Sequence, residues 1–240
     1  MNQYLMQLTE EARSAMYGTL GNLQWPAFAA VLLWATIKYP RPLKDKIILW
    51  VAFAVARYWG ACMVPLLKGV APAVFPSGNF GIAFGFVVLI VAAIAYFLRV
   101  SVWFVLEATV PAFILGRGLA ITGCIFYGCC HGHPVSWGIY SAVAETCVFP
   151  TVMLDVATSC AIVIYLMILA KKRGYSADGT VAARGIFLFG ILRVLIDLLR
   201  DNHTLFLLFT AEGLFGIAYI AAGILLLRAI NTRGEKHEIT

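Results

Sequence analysis

Seven stretches of this chain, near residues 20–37, 47–67, 79–98, 103–126, 153–170, 184–200 and 210–229, are apolar over roughly 17 to 25 residues each, the length a helix needs to cross a hydrocarbon core. Few other features restrict a fold so strongly. Hydrophobic residues make up 62% of the 240, charged residues 12%, and the mean hydropathy of +0.88 excludes an ordinary soluble domain. The expected fold class is therefore all-α: a polytopic membrane protein with seven transmembrane helices.

The lysines and arginines sort by loop. Lys38, Arg41, Lys44 and Lys46 follow the first stretch, Arg99 the third, Lys171, Lys172 and Arg173 the fifth, and Arg228, Arg233 and Lys236 the last. The opposite side has only Arg13, Lys68 and Arg200. By the positive-inside rule the N-terminus is expected outside and the C-terminus in the cytoplasm. Residues 1–16 carry Glu10, Glu11 and Arg13 in place of a basic start, and no small-residue cleavage site follows a short apolar core, so the chain is expected to keep its N-terminus. The net charge of +6 is not pooled into one patch and no nucleic-acid motif is present, so nucleic acid is not an expected partner. With no repeat, low-complexity segment or linker, residues 1–240 read as a single integral membrane domain.

Two connections on the outer side stand out. Residues 127–152 contain no Lys or Arg but carry Tyr127, His131, His133, Pro134, Trp137 and Pro150, which predicts an outer surface feature or a partly re-entrant segment. Residues 68–78, KGVAPAVFPSG, are too rich in proline and glycine for regular structure. They lead into Phe80, Gly81 and Gly85, and the two glycines are small residues at a spacing that lets another helix approach.

A charge inside a membrane segment is expensive and faces the bundle interior or a wet cavity. Those present are Arg57, Glu107, Arg117, Asp155, Arg193, Asp197 and Glu212, with Arg200 at a helix end. Arg193, Asp197 and Arg200 are spaced i, i+4, i+7, on one helical face. After an internal pair forms, that stripe keeps a positive charge, and the planar fork of arginine suits phosphate. The competing reading is an Arg and Asp network that locks helices together. Arg117 lies about two turns before Cys124 and about three before Tyr127, placed to turn toward the same cavity. Arg57 and Glu107 are expected to neutralise each other, and Glu212 to be a first-turn acid favoured by the helix dipole.

The segment TGCIFYGCCHGHP, residues 122–134, concentrates three cysteines, two histidines and a tyrosine. Adjacent cysteines without the usual two-residue gap, and with no second ligand pair, argue against a metal, so neither a metal nor another cofactor is expected. Cys129 or Cys130 beside His131 suits a catalytic thiolate. His131 or His133 suits a general base near neutral pH at the outer membrane face. A tight helix end followed by wetted histidines is the bland alternative. Of the six cysteines, Cys62, Cys124, Cys129, Cys130, Cys147 and Cys160, the third, fourth and fifth fall on the outer side, where an oxidising compartment would permit a pair.

In their order along the chain these features resemble the prolipoprotein diacylglyceryl transferase family, in particular its divergent cysteine-rich members. GCIFYGCCHGHP followed by SWGI is similar to that branch's segment, FPTVMLD at 149–155 to a family motif ending in an acid at Asp155, GILRVLIDLLRD at 190–201 to the sixth-helix motif, and FGIAFG at 80–85 to an upstream glycine motif. The resemblance covers about 75–201. It implies a membrane transferase that moves a diacylglyceryl group from phosphatidylglycerol to the lipobox cysteine of a secreted preprotein, releasing glycerol phosphate, in the bacterial cytoplasmic (inner) membrane. Arg193 and Asp197 fall on matched functional positions. Ile121, Cys124 and Cys129 stand where the family's usual signature has arginine, asparagine and glutamate, and Phe80 where it has histidine.

Such chemistry needs a cationic pocket for the departing phosphate and a base for the incoming thiol. The expected catalytic residues are His131, His133, Arg193 and Asp197, and the expected substrate-binding residues Arg117, Tyr127, Asp155 and Arg200. The expected partners are a phosphatidylglycerol-like lipid, a lipobox preprotein and the membrane itself. Two other readings stay open: a non-catalytic paralogue that binds lipid or a membrane partner, and a thiol- or metal-dependent redox membrane protein.

Overall fold

A computed structural model describes residues 2–67, 80–201 and 210–238, with the backbone alone at 4, 60–67, 80–82 and 233–238. The loop expected over 68–78, with Lys68, lies outside the described residues, as do the side chains of Cys62, Phe80, Arg233 and Lys236.

The structure is mostly helical. Two short helices, α1 (Asn2–Gln7) and α2 (Glu10–Gly21), precede α3 (Gln24–Lys38), α4 (Leu43–Leu67), α5 (Phe80–Phe97) and α6 (Val102–Ala120). A 3-10 turn at Ile121–Gly123 leads to the single turn α7 (Cys124–Tyr127), and α8 (Thr151–Lys172), α9 (Thr180–Leu199) and α10 (Ala211–Glu238) complete the bundle. Helices thus occupy all seven stretches marked by apolar periodicity. Among the described residues, four segments are long and apolar enough to cross a membrane: Glu10–Lys38, Val102–Tyr127, Thr151–Lys172 and Ala211–Thr232. The described part of α5 is shorter, and α9 carries Arg184, Arg193 and Asp197 within its 20 residues. Large apolar side chains such as Ile37, Val51, Leu89, Phe97, Ile168 and Leu225 are exposed on the helices, as lipid-facing positions require.

α6 is the central helix. Its residues are buried almost without interruption, and it packs against α3, α5, α8 and α9. The tightest pairing is α9 with α10, where a Cβ on Gly190 would stand 2.7 Å from the carbonyl oxygen of Gly216, so only the bare backbone fits. At one end of the bundle the Tyr39 hydroxyl donates to Glu107 at 2.9 Å and the Gly179 N–H donates to the same carboxylate at 2.7 Å. The expected pairing of Glu107 with Arg57 is replaced by these bonds, because Arg57 lies toward the other end of the bundle and donates to Gln24 at 2.8 Å.

The all-α expectation needs one amendment. Residues 127–152 hold an antiparallel hairpin, β1 (Pro134–Ser141) and β2 (Thr146–Val148), with Ile139 opposite Val148 and Ser141 opposite Thr146. The β-branched residues Val135, Ile139, Thr146 and Val148 suit paired strands, and Asn2 completes the edge by accepting from the Tyr140 N–H and donating to the Gly138 carbonyl, both at 3.1 Å.

Candidate functional site

The hairpin is anchored to the helix ends by the cysteine and histidine segment. Gly128 closes α7 in the left-handed region, at φ 79°, and its N–H bonds the Cys124 carbonyl at 2.7 Å, so the chain reverses within one turn. That reversal returns Cys129 and Cys130 to the side of Cys124. The Thr151 hydroxyl at the start of α8 then donates to the Cys130 carbonyl at 2.7 Å. Gly132 pairs with Arg200, the Asp201 N–H reaches the His131 carbonyl at 3.4 Å, and the His133 N–H reaches the Leu199 carbonyl at 3.4 Å. Residues 130–133 are therefore laced by backbone bonds to the ends of α8 and α9.

Directly beneath lies an ion lattice that joins four helices. Arg117 of α6 grips Asp155 of α8 with both terminal nitrogens, Nη2 to Oδ2 at 2.6 Å. Arg193 of α9 donates to the same Oδ2 at 2.6 Å and to Glu212 of α10 at 3.2 Å. Arg200, with its Nη1 3.6 Å from Glu212, ends the chain of contacts. Three arginines against two carboxylates leave one positive charge. The Nε atoms of Arg117, Arg193 and Arg200 are buried and have no hydrogen-bond partner among the described residues.

The expected stripe on α9 is rearranged. Asp197 is not the partner of Arg193: it accepts from the Thr210 N–H at 2.9 Å and hydroxyl at 2.5 Å, which fixes the start of α10. A buried carboxylate on the neighbouring helix, Asp155, competes better for Arg193 because it also serves Arg117. Arg117, Asp155 and Arg193 are sealed, whereas Arg200 and Glu212 keep 11% and 13% of their side chains exposed at the end of the bundle that carries the hairpin.

His131 lines a cleft of about 310 Å³, counting its space open to solvent, together with Cys124, Cys130, Tyr140 and Thr151. His133 is exposed, with Nδ1 3.9 Å from Asp201. Tyr127 is exposed and packs against Tyr17 with ring centroids 5.4 Å apart and the planes tilted by 48°, outside the lattice. Structure thus brings Arg117, Asp155, Arg193 and Arg200 together and sets His131 above them, while His133 and Tyr127 stand at the rim. Glu212, read from the sequence as a helix-dipole acid, is a full member of the lattice. Its place among the intramembrane charges was the available signal.

Cys124, Cys129 and Cys130 hold their Sγ atoms within 4.8 Å of one another, and all three are free thiols, as are Cys147 and Cys160. The Cys130 thiol is pulled well below the usual thiol range by hydrogen bonds from Cys124 and Cys129 and by the cations of Arg200 and Arg117.

The family model for prolipoprotein diacylglyceryl transferase matches residues 27–229, which takes in the whole lattice and the cysteine segment. No curated protein matches the chain.

Proposed function

Because the chain belongs to the prolipoprotein diacylglyceryl transferase family, we propose that it moves the diacylglyceryl group of phosphatidylglycerol to a preprotein cysteine at the outer face of a bacterial cytoplasmic membrane. A transferase-type membrane function follows from membership. The donor, the acceptor and the residue roles are our reading, as are the seven-span layout with the N-terminus outside, and the single domain 1–240 with its core over about 75–201.

One observation carries it: the surplus cation of a buried arginine lattice opens, at Arg200, directly beneath the cysteine and histidine segment. In the reaction the acceptor sulfur bonds the terminal glycerol carbon while that carbon's bond to the phosphate oxygen breaks. Negative charge gathers on the departing glycerol phosphate, where a preorganised cation acts most strongly. Arg200 meets the phosphate, and the free Nε donors of Arg117 and Arg193 orient the wall behind it. Asp155 holds those two arginines in place, and Asp197 seats α10 so that Glu212 can do the same for Arg200. His131 in the cleft, or His133 at its rim beside Asp201, receives the thiol proton.

A second reading, a paralogue that binds lipid without turning it over, is favoured by the complete closure of Arg117, Asp155 and Arg193. Purified protein given phosphatidylglycerol vesicles and a lipobox peptide separates the two. The transferase reading expects glycerol phosphate release that depends on both substrates; saturable lipid binding with no release would favour the paralogue.

A further inference from the structure

The sulfurs of Cys124, Cys129 and Cys130 all lie within 4.8 Å of one another, and those of Cys129 and Cys130 are 3.9 Å apart. Sulfurs bonded to zinc at about 2.3 Å stand about 3.8 to 4.0 Å from each other in tetrahedral or trigonal geometry, so the three thiols are within about 1 Å of a ligand set. Spacing along the chain hides this, because the usual two-residue gap is absent. In space the left-handed turn at Gly128 does the work of the gap, folding the cysteine pair back onto the last turn of the helix.

The cluster is closed on one side and open on the other. Cys124 is buried against Ile121 and Val152, whereas Cys129 is exposed at the outer face. No fourth Cys, His, Asp or Glu joins the group among the described residues. Three protein ligands with a free fourth position distinguish reactive zinc sites from structural ones, which are filled by four. Soft thiolates also select thiophilic cations over magnesium or calcium. Three thiolates around one zinc ion carry a charge of −1, and the lattice ending at Arg200 beside Gly132 supplies the matching positive charge.

The geometry points to a zinc site at Cys124, Cys129 and Cys130 whose open position binds the acceptor thiol of the transfer reaction as a thiolate. This rests on the transferase reading above. A thiol that coordinates zinc is deprotonated outright, its proton passing to His131 or His133, the bases given that role above. The resulting thiolate attacks the glycerol carbon, the new S–C bond forms as the C–O bond to phosphate breaks, and glycerol phosphate leaves toward Arg200. Zinc keeps its oxidation state throughout, so no oxidant or reductant is required.

The test uses full-length protein stripped of metal and dialysed against zinc(II), cobalt(II) or copper(I). Wild type is expected to retain one zinc per chain. The single variants Cys124→Ser, Cys129→Ser and Cys130→Ser should each weaken retention at least tenfold, while Cys147→Ser and Cys160→Ser leave it unchanged. Cobalt-loaded wild type should show a thiolate charge-transfer band, and a cysteine peptide, but not its serine counterpart, should change the visible spectrum by entering the fourth position. The cobalt spectrum needs no variant and so does not depend on how a substituted chain folds. Zinc retained equally by the triple serine variant, copper(I) bound with no zinc or cobalt, or a cobalt spectrum blind to the cysteine peptide would overturn the site. Transfer at full rate in metal-free protein would overturn its role and leave the transferase reading standing; zinc binding without any transfer would overturn the transferase reading, and with it that role, and leave only the metal site standing.

Discussion

Asp155 of α8 accepts a hydrogen bond from Arg193 of α9 at 2.6 Å, with the two side chains 0% and 1% exposed. The same carboxylate holds Arg117, so a single acid ties three helices together at the level of the site. Asp155→Asn leaves two buried guanidinium groups short of a counter-charge, a change that costs about 3 to 5 kcal/mol. Thermal unfolding in detergent should show a fall of about 10 °C. Replacing Arg117, Asp155 and Arg193 together with Met, Leu and Met should restore most of the lost stability, since buried ion pairs add little over apolar packing. Activity would stay absent in that triple variant if the lattice also serves chemistry.

Arg200 differs from its two buried partners because its one ion-pair contact among the described residues is Glu212, 3.6 Å away, and part of its side chain is exposed. Arg200→Ala should therefore shift the unfolding midpoint by no more than about 2 °C, while lowering kcat/KM for the lipid about 10² to 10³-fold, the effect of removing one donor to developing charge. A variant that unfolds early yet turns over normally would reverse the role given to this residue.

At the opposite end, Tyr39 and Glu107 form a purely structural pair joined by a 2.9 Å hydrogen bond. Tyr39→Phe removes one of the donors that satisfy the buried carboxylate and should cost about 1 to 3 kcal/mol, read in thermal unfolding. Turnover by the fraction still folded should equal wild type, because the site lies across the bundle.

Much of this architecture can be read in the sequence, because membrane helices announce themselves by length and hydropathy: all seven apolar stretches are helical. The hairpin at Pro134–Val148 is harder to see, since strands of eight and three residues carry little periodic signal and their stability comes from docking on Asn2 and the ends of α8 and α9. For the site, the i, i+4, i+7 spacing expected Arg193, Asp197 and Arg200 on one helical face, whereas the helix ends at Leu199, Arg200 follows it in extended backbone, and the partners lie on other elements. Partner choice depends on which buried acid lies on the facing helix, and Asp155 and Thr210 decided it. The cysteine cluster shows the same limit, because Gly128 converts an unfavourable spacing into proximity.

Cys130 supplies a pH-dependent signature in metal-free protein. Its lowered thiol pKa, caused by hydrogen bonds from Cys124 and Cys129 and by the nearby Arg200 and Arg117, keeps the thiolate populated as the pH falls. An ordinary thiol, with pKa about 8.5, loses alkylation rate about tenfold per unit below that value. Peptide mapping after iodoacetamide treatment should show Cys130 modified at nearly constant rate between about pH 6 and pH 8. Arg200→Ala should bring back part of the ordinary decline.

The most direct measurement of the central claim is the mass of the acceptor peptide after incubation with reconstituted protein and phosphatidylglycerol vesicles. Wild type should add one diacylglyceryl group to a lipobox peptide through a thioether, release one glycerol phosphate per peptide modified, and do neither with a serine peptide. An unmodified cysteine peptide, recovered with intact lipid from protein that binds that lipid and unfolds cooperatively, would contradict the account.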